Sequence, residues 1–465
     1  MKNCLIFLFA LSWIIPGAVA QQYNTLFWMQ GIPQSNYVNP ALIPQALYHA
    51  GMPALSSIHM DASNRGFAIG DIVRRNELDE TYWDTEGLLH VLDDHNLFQA
   101  NLTVEWFAFG FRSNANYFSF KLSEKISYHM AYPPDLARLV LDGNDGFGGP
   151  VNTGAFSGFE MDNLHFREFG MSFSREVSPS LSFGLRGRVL FGIRSQWTDR
   201  AAFELVADPS GEGMLLHTEV SLNHASGQSL GLLEDRQFRF IPEYKLNEFR
   251  ANFKNLGAAL DLGFVLRPPG KFFLAVSILD LGFIDWKDGV ENYLISGSSG
   301  FDGIEPEQFF SSYFISNMEH FLNGLPAHFQ VSMTQSGYRT LMAPKVFGSV
   351  GMALSERHQL ALLSRSMIYG GRMYPSFTFS YHVKPSHATG LSLSYSVANQ
   401  NYANIGLGMH ANLGPFQFYV VGDNVLGFII PKHVQWNSLQ LGFNWVFGYR
   451  PVTKEIMNED PGYTW

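Results

Sequence analysis

Four clusters of residues in this chain have types and spacings that could do chemistry. "GQSLG" (Gly227–Gly231) has the G-x-S-x-G spacing of a nucleophile elbow, which would make Ser229 the attacking group of an exported esterase. That motif needs a buried strand before the serine and a helix after it. Here it sits in the polar stretch "NHASGQSLGLLEDRQ", so a chance match in a Ser/Gly-rich loop is the better reading. "GLGMHA" (Gly406–Ala411) has the spacing of a dinucleotide fingerprint but lies in an alternating stretch with no helix to follow. His382 and His387 have no companion at metal-ligand spacing. Neither a cofactor nor a metal is expected, and no residue is assigned as catalytic. Arg186, Arg188 and Arg194 occur at even spacings in "SFGLRGRVLFGIRS", on what reads as the polar face of one strand. They could pair with interior acids such as Asp261, or form a basic patch lining a solute path. Structural pairing is the expected role.

The elements that would hold these residues are strands. In "TGLSLSYSVANQ" (Thr389–Gln400), Leu391, Leu393, Tyr395 and Val397 fall on one face and Ser392, Ser394 and Ser396 on the other. Such period-two alternation marks an extended chain. It recurs from Leu102 onward, in "NYFSFKLS", "FREFGMSFSRE", "NLGAALDLGFVL", "HFQVSMTQ", "SFTFSYHV" and "SLQLGFNWVFG". The polar faces carry Ser, Gly, Thr, Asn, Gln and a few Arg, whereas the solvent face of a soluble sandwich would carry more Lys and Glu. Many runs have the nine to eleven residues that cross a bilayer at a tilt, and Phe, Tyr and Trp crowd their ends. The expected fold is therefore all-β: a transmembrane antiparallel β-barrel of about 14 strands (12–16), with apolar faces to lipid and polar faces to the lumen.

Composition agrees. The chain has 465 residues, 46% hydrophobic and only 15% charged, with 41 Phe and 44 Gly. Its formal net charge of −10 argues against a nucleic-acid partner. Residues 1–20 read as a secretory signal peptide: Lys2, the apolar run "LIFLFALSWII", then "AVA" before Gln21. The only cysteine, Cys4, would leave with it. Residues 21–50 are rich in proline and apolar side chains. Pro33, Pro40 and Pro44 bar them from a continuous ladder, so a plug-like segment folded into the lumen is expected. The barrel is expected over 51–449, and 450–465 form a polar tail. Loops near 133–163, 207–250 and 284–325 read as long, with helical patterns in "PPDLARLVLDGN" and "EPEQFFSSYFISNMEHFLNGL"; "TEGLLHVLDDHN" reads as a short helix capped by Thr85.

"SNYVNPALIP", "GMPALSSIHM", "SILDLGFIDW", "GDNVLGFI" and "LGFNWVFG", in that order, resemble an uncharacterised family of Bacteroidota outer-membrane β-barrel proteins, a domain of unknown function. Asn39, Pro40 and Ala41 also resemble the Asn-Pro-Ala element of FadL-like hydrophobic-compound transporters, in which the N-terminal segment plugs a 14-stranded barrel. The type IX secretion-associated PorP/SprF-like barrels are similar in style. The last strand resembles a barrel-assembly signal, with Gly442, Asn444 and Phe447 as its residues; the polar tail after it departs from barrels that end at their final strand. These resemblances imply an outer-membrane protein that is not an enzyme. Its expected partners are outer-membrane lipid and the barrel-assembly machinery. The leading expectation is transport or binding of small solutes, hydrophobic ones among them. The alternative is a structural or accessory barrel among envelope secretion components.

Overall fold

Alternating sequences of this kind leave one face of every strand apolar, and closing the sheet on itself satisfies every edge. The computed structural model describes residues 23–68, 71, 73–75, 81–94, 96–135, 154–207, 214–226, 253–301, 329–386, 388–398, 401–429 and 435–449. They form a closed antiparallel barrel of 14 strands, as the alternation predicts. The strands are β1 (Ala46–Gly51 and Ile58–Asn64), β2 (Asn96–Ser113), β3 (Asn116–Tyr132), β4 (Glu160–Ser178), β5 (Leu181–Ala207), β6 (Met214–Ala225 and Leu256–Leu266) and β7 (Phe272–Trp286 and Val290–Phe301). They continue as β8 (Gln330–Thr334, Tyr338–Leu341 and Lys345–Ala353), β9 (His358–Tyr369), β10 (Arg372–Ser386), β11 (Thr389–Ala398), β12 (Asn401–Leu413), β13 (Phe416–Gly422) and β14 (Trp436–Tyr449). β14 closes onto β1, with Ala46 opposite Tyr449 and Ile58 opposite Leu441.

The two ends of the barrel differ. At one end, short turns join β2 to β3, β4 to β5, β6 to β7, β8 to β9, β10 to β11 and β12 to β13, and both β1 and β14 have their outer termini there. The longer connections lie at the other end. β5 runs for 27 residues, and β6, β7 and β8 extend beside its far half, so the wall is tallest there. One tight turn at that end, Tyr369–Arg372, has Gly370 and Gly371 both at positive φ (54° and 72°), the backbone of a two-residue hairpin loop that only glycine adopts freely.

Some boundaries move. β1 begins at Ala46, before the boundary expected at residue 51. The stretch 284–301, read as loop, is strand: β7 continues past a break at residues 287–289. The short helix α1 spans Thr85–Val91, but its cap is Asp84, whose carboxylate accepts from the Gly87 N–H, rather than Thr85. The signal-peptide residues, the polar tail and most of both loop-helix patterns lie outside the described residues.

Which face is lipid-facing is decided on β11. Leu391, Leu393 and Tyr395 are 48%, 49% and 44% exposed, while Ser392, Ser394 and Ser396 are at most 3% exposed. The exposed set is apolar and the hidden set polar, the inverse of a soluble sandwich and the arrangement of a membrane barrel. No helix among the described residues is long and apolar enough to cross a membrane; crossing is by strands.

Candidate functional site

The inward-facing residues could line an open pore. Instead the lumen is occupied toward the short-turn end. Residues 23–45, two 3-10 turns (Leu26–Trp28 and Pro33–Tyr37) joined by irregular chain, touch inward side chains on β4, β5, β7, β8, β11, β13 and β14 at once. Only a segment inside the barrel can do that. Its prolines explain why it is not a fifteenth strand: each lacks the N–H a ladder needs.

The segment's apolar side chains Leu26, Phe27, Ile32, Val38 and Leu42 are fully buried in a cluster with Val265, Phe273, Phe347, Leu363 and Tyr419 of the wall. Burial of this kind supplies most of the stabilisation, about 25 cal/mol per Å². Polar ties then fix register. Asp423, just after β13, accepts the backbone N–H groups of Tyr23 (2.8 Å) and Thr25 (2.7 Å). Thr25 and Ser394 hydroxyls meet at 2.7 Å, and the Trp28 indole donates to Ser349 at 2.8 Å. The Gln34 and Asn444 amides exchange two hydrogen bonds, at 2.9 and 3.0 Å.

Asn39, Pro40 and Ala41 form a compact docking element. The Asn39 side-chain oxygen accepts from Ala41 N–H (2.9 Å), and its amide donates to the carbonyls of Phe264 and Val276, each at 3.3 Å. The Pro40 carbonyl accepts from Ser174 (2.5 Å) and Asn36 (2.9 Å). This close approach needs bare backbone on the wall: a Cβ at Gly184 would run into the Pro40 carbonyl, and one at Gly263 into the Asn39 side chain.

Above this element lies a belt of buried ion pairs. Arg186 joins wall to plug: its Nε meets Asp261 at 2.6 Å, and its two amino groups donate to the carbonyls of Asn36 (3.2 Å) and Tyr37 (2.7 Å). Arg188 bridges Glu168 (2.9 Å), Asp261 (2.8 Å) and Asp280 (2.7 Å). Lys121 and Lys125 reach Glu168 at 2.7 and 3.2 Å, and Lys345 reaches Asp280 at 2.8 Å. The Tyr37 ring lies under Lys121, 4.5 Å from its ammonium. Burial first, and then the Glu105 carboxylate beside it, raise the Tyr37 phenol well above its ordinary range, so it keeps its proton.

Arg194 does not belong to this belt, which corrects the expectation of a three-arginine face. Ile193 is an extra residue in β5: Gly192 opposes Phe166 and Arg194 opposes His165. The bulge flips the parity, placing Arg194 opposite His165, whose ring pairs with Glu124 (2.6 Å) beside Arg167. Arg167 shares its face with the exposed Phe169 and Met171, so this second cluster is on the outer side. Of the assembly-signal residues, Gly442 lies against the Ser56 carbonyl, Asn444 holds Gln34 and Gln417, and Phe447 is exposed on the outer face opposite Tyr48. His382 is buried in the lumen with Ser380, 2.9 Å away. Gly406 and Gly408, from the dinucleotide-like stretch, make room for Thr25 and Met29. Ser229 and His387 lie outside the described residues. Among the described residues, no group of His, Cys, Asp and Glu could hold a metal.

Between plug and belt on one side and the loop end on the other remains a cavity of about 100 Å³. Tyr23 and Tyr37 of the plug face it, with Lys121, Lys125, Arg188 and Lys345 of the belt. Its apolar wall includes Leu164, Phe166, Met342 and Met367, and Asp162 completes it. The sequence places Lys121 on the polar face of its strand, opposite Phe118, Phe120 and Leu122, but gives no sign of a role for Glu168, Asp280, Lys125 or Asp423. Face parity extended by four residues would have placed Lys125 inward as well. Asp280 was hidden by its position at a bulge with φ of 62°, and Asp423 by its place beyond a strand end.

Among solved structures, the chain is similar to a FadL homologue of Pseudomonas aeruginosa (10% identity, TM-score 0.41, covering 93% of this chain and 100% of that one). It is similar also to the Ralstonia pickettii toluene transporter TbuX (9%, 0.42, 90% and 94%) and the Pseudomonas putida toluene transporter TodX (10%, 0.38, 89% and 91%). No curated protein matches the chain. A family model described as "Family of unknown function (DUF5723)" matches residues 40–423, from the Pro40 of the docking element to the Asp423 that holds the start of the plug; the chain belongs to that family.

Proposed function

We propose that this protein is a plug-gated passage for small solutes across the outer membrane of a Gram-negative bacterium. One observation carries the reading. The lumen is filled at the short-turn end by a separate segment, held by non-covalent ties, and not by side chains of the wall alone. A barrel of 14 strands is too wide to be filled by its own wall side chains, so it is this segment, and not the wall, that bars the lumen. The cavity above the plug is where a solute entering from the loop end would stop, and the plug is what bars its exit. Its wall combines charged and apolar groups, as binding sites for small molecules do.

Deleting residues 21–45 while keeping the leader tests this. The 14-strand wall keeps its ladder, so the variant is expected to fold and to insert in planar bilayers. Its single-channel conductance should rise well above that of the full-length protein, whose lumen is blocked. A folded deletion variant with unchanged conductance would show that the segment is not the barrier.

A further inference from the structure

The short-turn mouth of the lumen is cationic in a chain whose formal net charge is −10. Four strands carry their inward faces on to a base at that rim, by the period of two. Arg112 continues the face of Ala108 on β2, which is buried, while Phe107 on the opposite face is half exposed. Arg267 stands two residues past Val265 of β6, and Lys271 two before Phe273 of β7; Val265 and Phe273 both pack on the plug. The ladder reaches these two bases: the Arg267 N–H donates to the Ser180 carbonyl, and the Lys271 carbonyl accepts from the Ala353 N–H. Lys384 stands two residues past His382 of β10, which is buried in the lumen.

Against these four bases stands Glu176 of β4, 2.7 Å from Arg112. Glu356 and Arg357, adjacent on the β8–β9 turn, cancel. Among the described residues the inward rim therefore has four cations to one acid. The plug does not offset them, because residues 23–45 include no charged side chain. The belt is nearer balance, with five cations to four acids when Glu105 is counted. Asp61, Asp162 and Asp423 also face inward, but each stands seven or more residues along its strand from the rim. That is about 20 Å or more, roughly twice the Debye length at about 0.1 M salt. They do not neutralise the mouth.

We propose that the open passage is anion-selective, with the short-turn mouth as its filter, and that the solutes it serves are small anions. This rests on the reading that withdrawal of the plug opens the lumen. Inward Arg and Lys side chains gather anions and repel cations in the water beside them, the basis of selectivity in anion pores. One unit charge about 8 Å from an ion in water changes that ion's local concentration roughly twofold, upward for an anion and downward for a cation. A hydrocarbon gains nothing from these four charges. A lipid headgroup is not their partner either, because they extend the inward faces of their strands.

The test is the reversal potential of open events of the full-length protein in planar bilayers under a potassium chloride gradient. Chloride is expected to permeate at least about twofold better than potassium at about 0.1 M salt, and the preference to fade at about 1 M, where the charges are screened. Potassium acetate in place of the chloride should keep the sign. Lys271 is exposed at a turn, so Lys271→Glu should fold, and it should lower the ratio. Lys271→Glu with Lys384→Glu leaves two cations to three acids at the rim and should bring the ratio to one or below. Lys271→Arg with Lys384→Arg should preserve it. Preference for potassium in the full-length protein, or a ratio unmoved by the double glutamate variant, would overturn the assignment. Open events that prefer potassium would retain the passage and remove anions as its solutes. No open events in either the full-length protein or the 21–45 deletion would remove both.

Discussion

The two halves of the lumen differ in how most of their polar groups are held, although the plug half also buries the Asn24 amide without a partner. In the plug half, Gln34, Asn36 and Asn39 each place their amides on defined partners, and Asp423 collects two backbone N–H groups. In the cavity half, Asp162 has an oxygen with no donor, and bases outnumber the acids they share. Both halves are built from inward-facing residues of the same strands, so the difference is not one of fold. A polar group that is buried and satisfied fixes a unique arrangement; one that is buried without a partner costs free energy. The ion belt is the border. Arg186 ties it to the plug through two carbonyls, while Lys125 and Lys345 turn toward the cavity.

The border should be the costliest place to break. Arg188→Met leaves Glu168, Asp261 and Asp280 without the cation they share, in a site where Arg188 and Glu168 are almost wholly buried. Removing one partner of a buried ion pair typically costs about 3–5 kcal/mol. Urea unfolding in lipid vesicles should show a loss of that size. A loss under about 1 kcal/mol would mean that Lys121, Lys125 and Lys345 carry the belt without Arg188, and that the border is not where the two halves meet.

The wall was far more legible in the sequence than its contents. Alternation such as Leu391–Leu393–Tyr395 against Ser392–Ser394–Ser396 is imposed by the lipid on one side, and so is visible strand by strand. It yields the strand count and which face is which. The plug is legible only as a contradiction: Leu26, Phe27, Trp28 and Ile32 need burial, while Pro33, Pro40 and Pro44 forbid a ladder. Its partners are not legible, because Gln34 meets Asn444 across 410 positions of sequence and Thr25 meets Ser394 across 369. Arg194 shows the limit of parity: Ile193 adds one residue to β5, and the face assignments invert from there until a second extra residue, Asp199, shifts the register again.

A second test separates wall from contents on one strand. Leu393 is half exposed on the outer face, so Leu393→Arg puts a charge in lipid and should cost about 2–4 kcal/mol near the midplane. Ser394→Arg points the charge inward, against Thr25 of the plug at 2.7 Å. It should cost the wall little but unseat the plug, and so raise conductance toward that of the 21–45 deletion. If Ser394→Arg were the one that destabilised the wall while Leu393→Arg were silent, the two faces of β11 would be exchanged.

The smallest effect asks whether the plug is held as a unit. Gln34 and Asn444 exchange two amide hydrogen bonds, and each amide has another partner as well: Gln34 donates to the Ser56 carbonyl, and Asn444 donates to Gln417. Each single alanine variant therefore loses the shared pair and one outside bond. In a double-mutant cycle only the shared pair contributes coupling, expected at about 0.5–1.5 kcal/mol. The readout is the fraction of time single channels spend open, since partial unseating should appear there before it appears in unfolding. Coupling within that range places the pair among the ties that hold the plug seated. Coupling near zero, with Gln34→Ala alone raising the open fraction as much as the double variant, would mean that the Gln34–Ser56 contact holds this part of the plug and that Asn444 serves β14 instead.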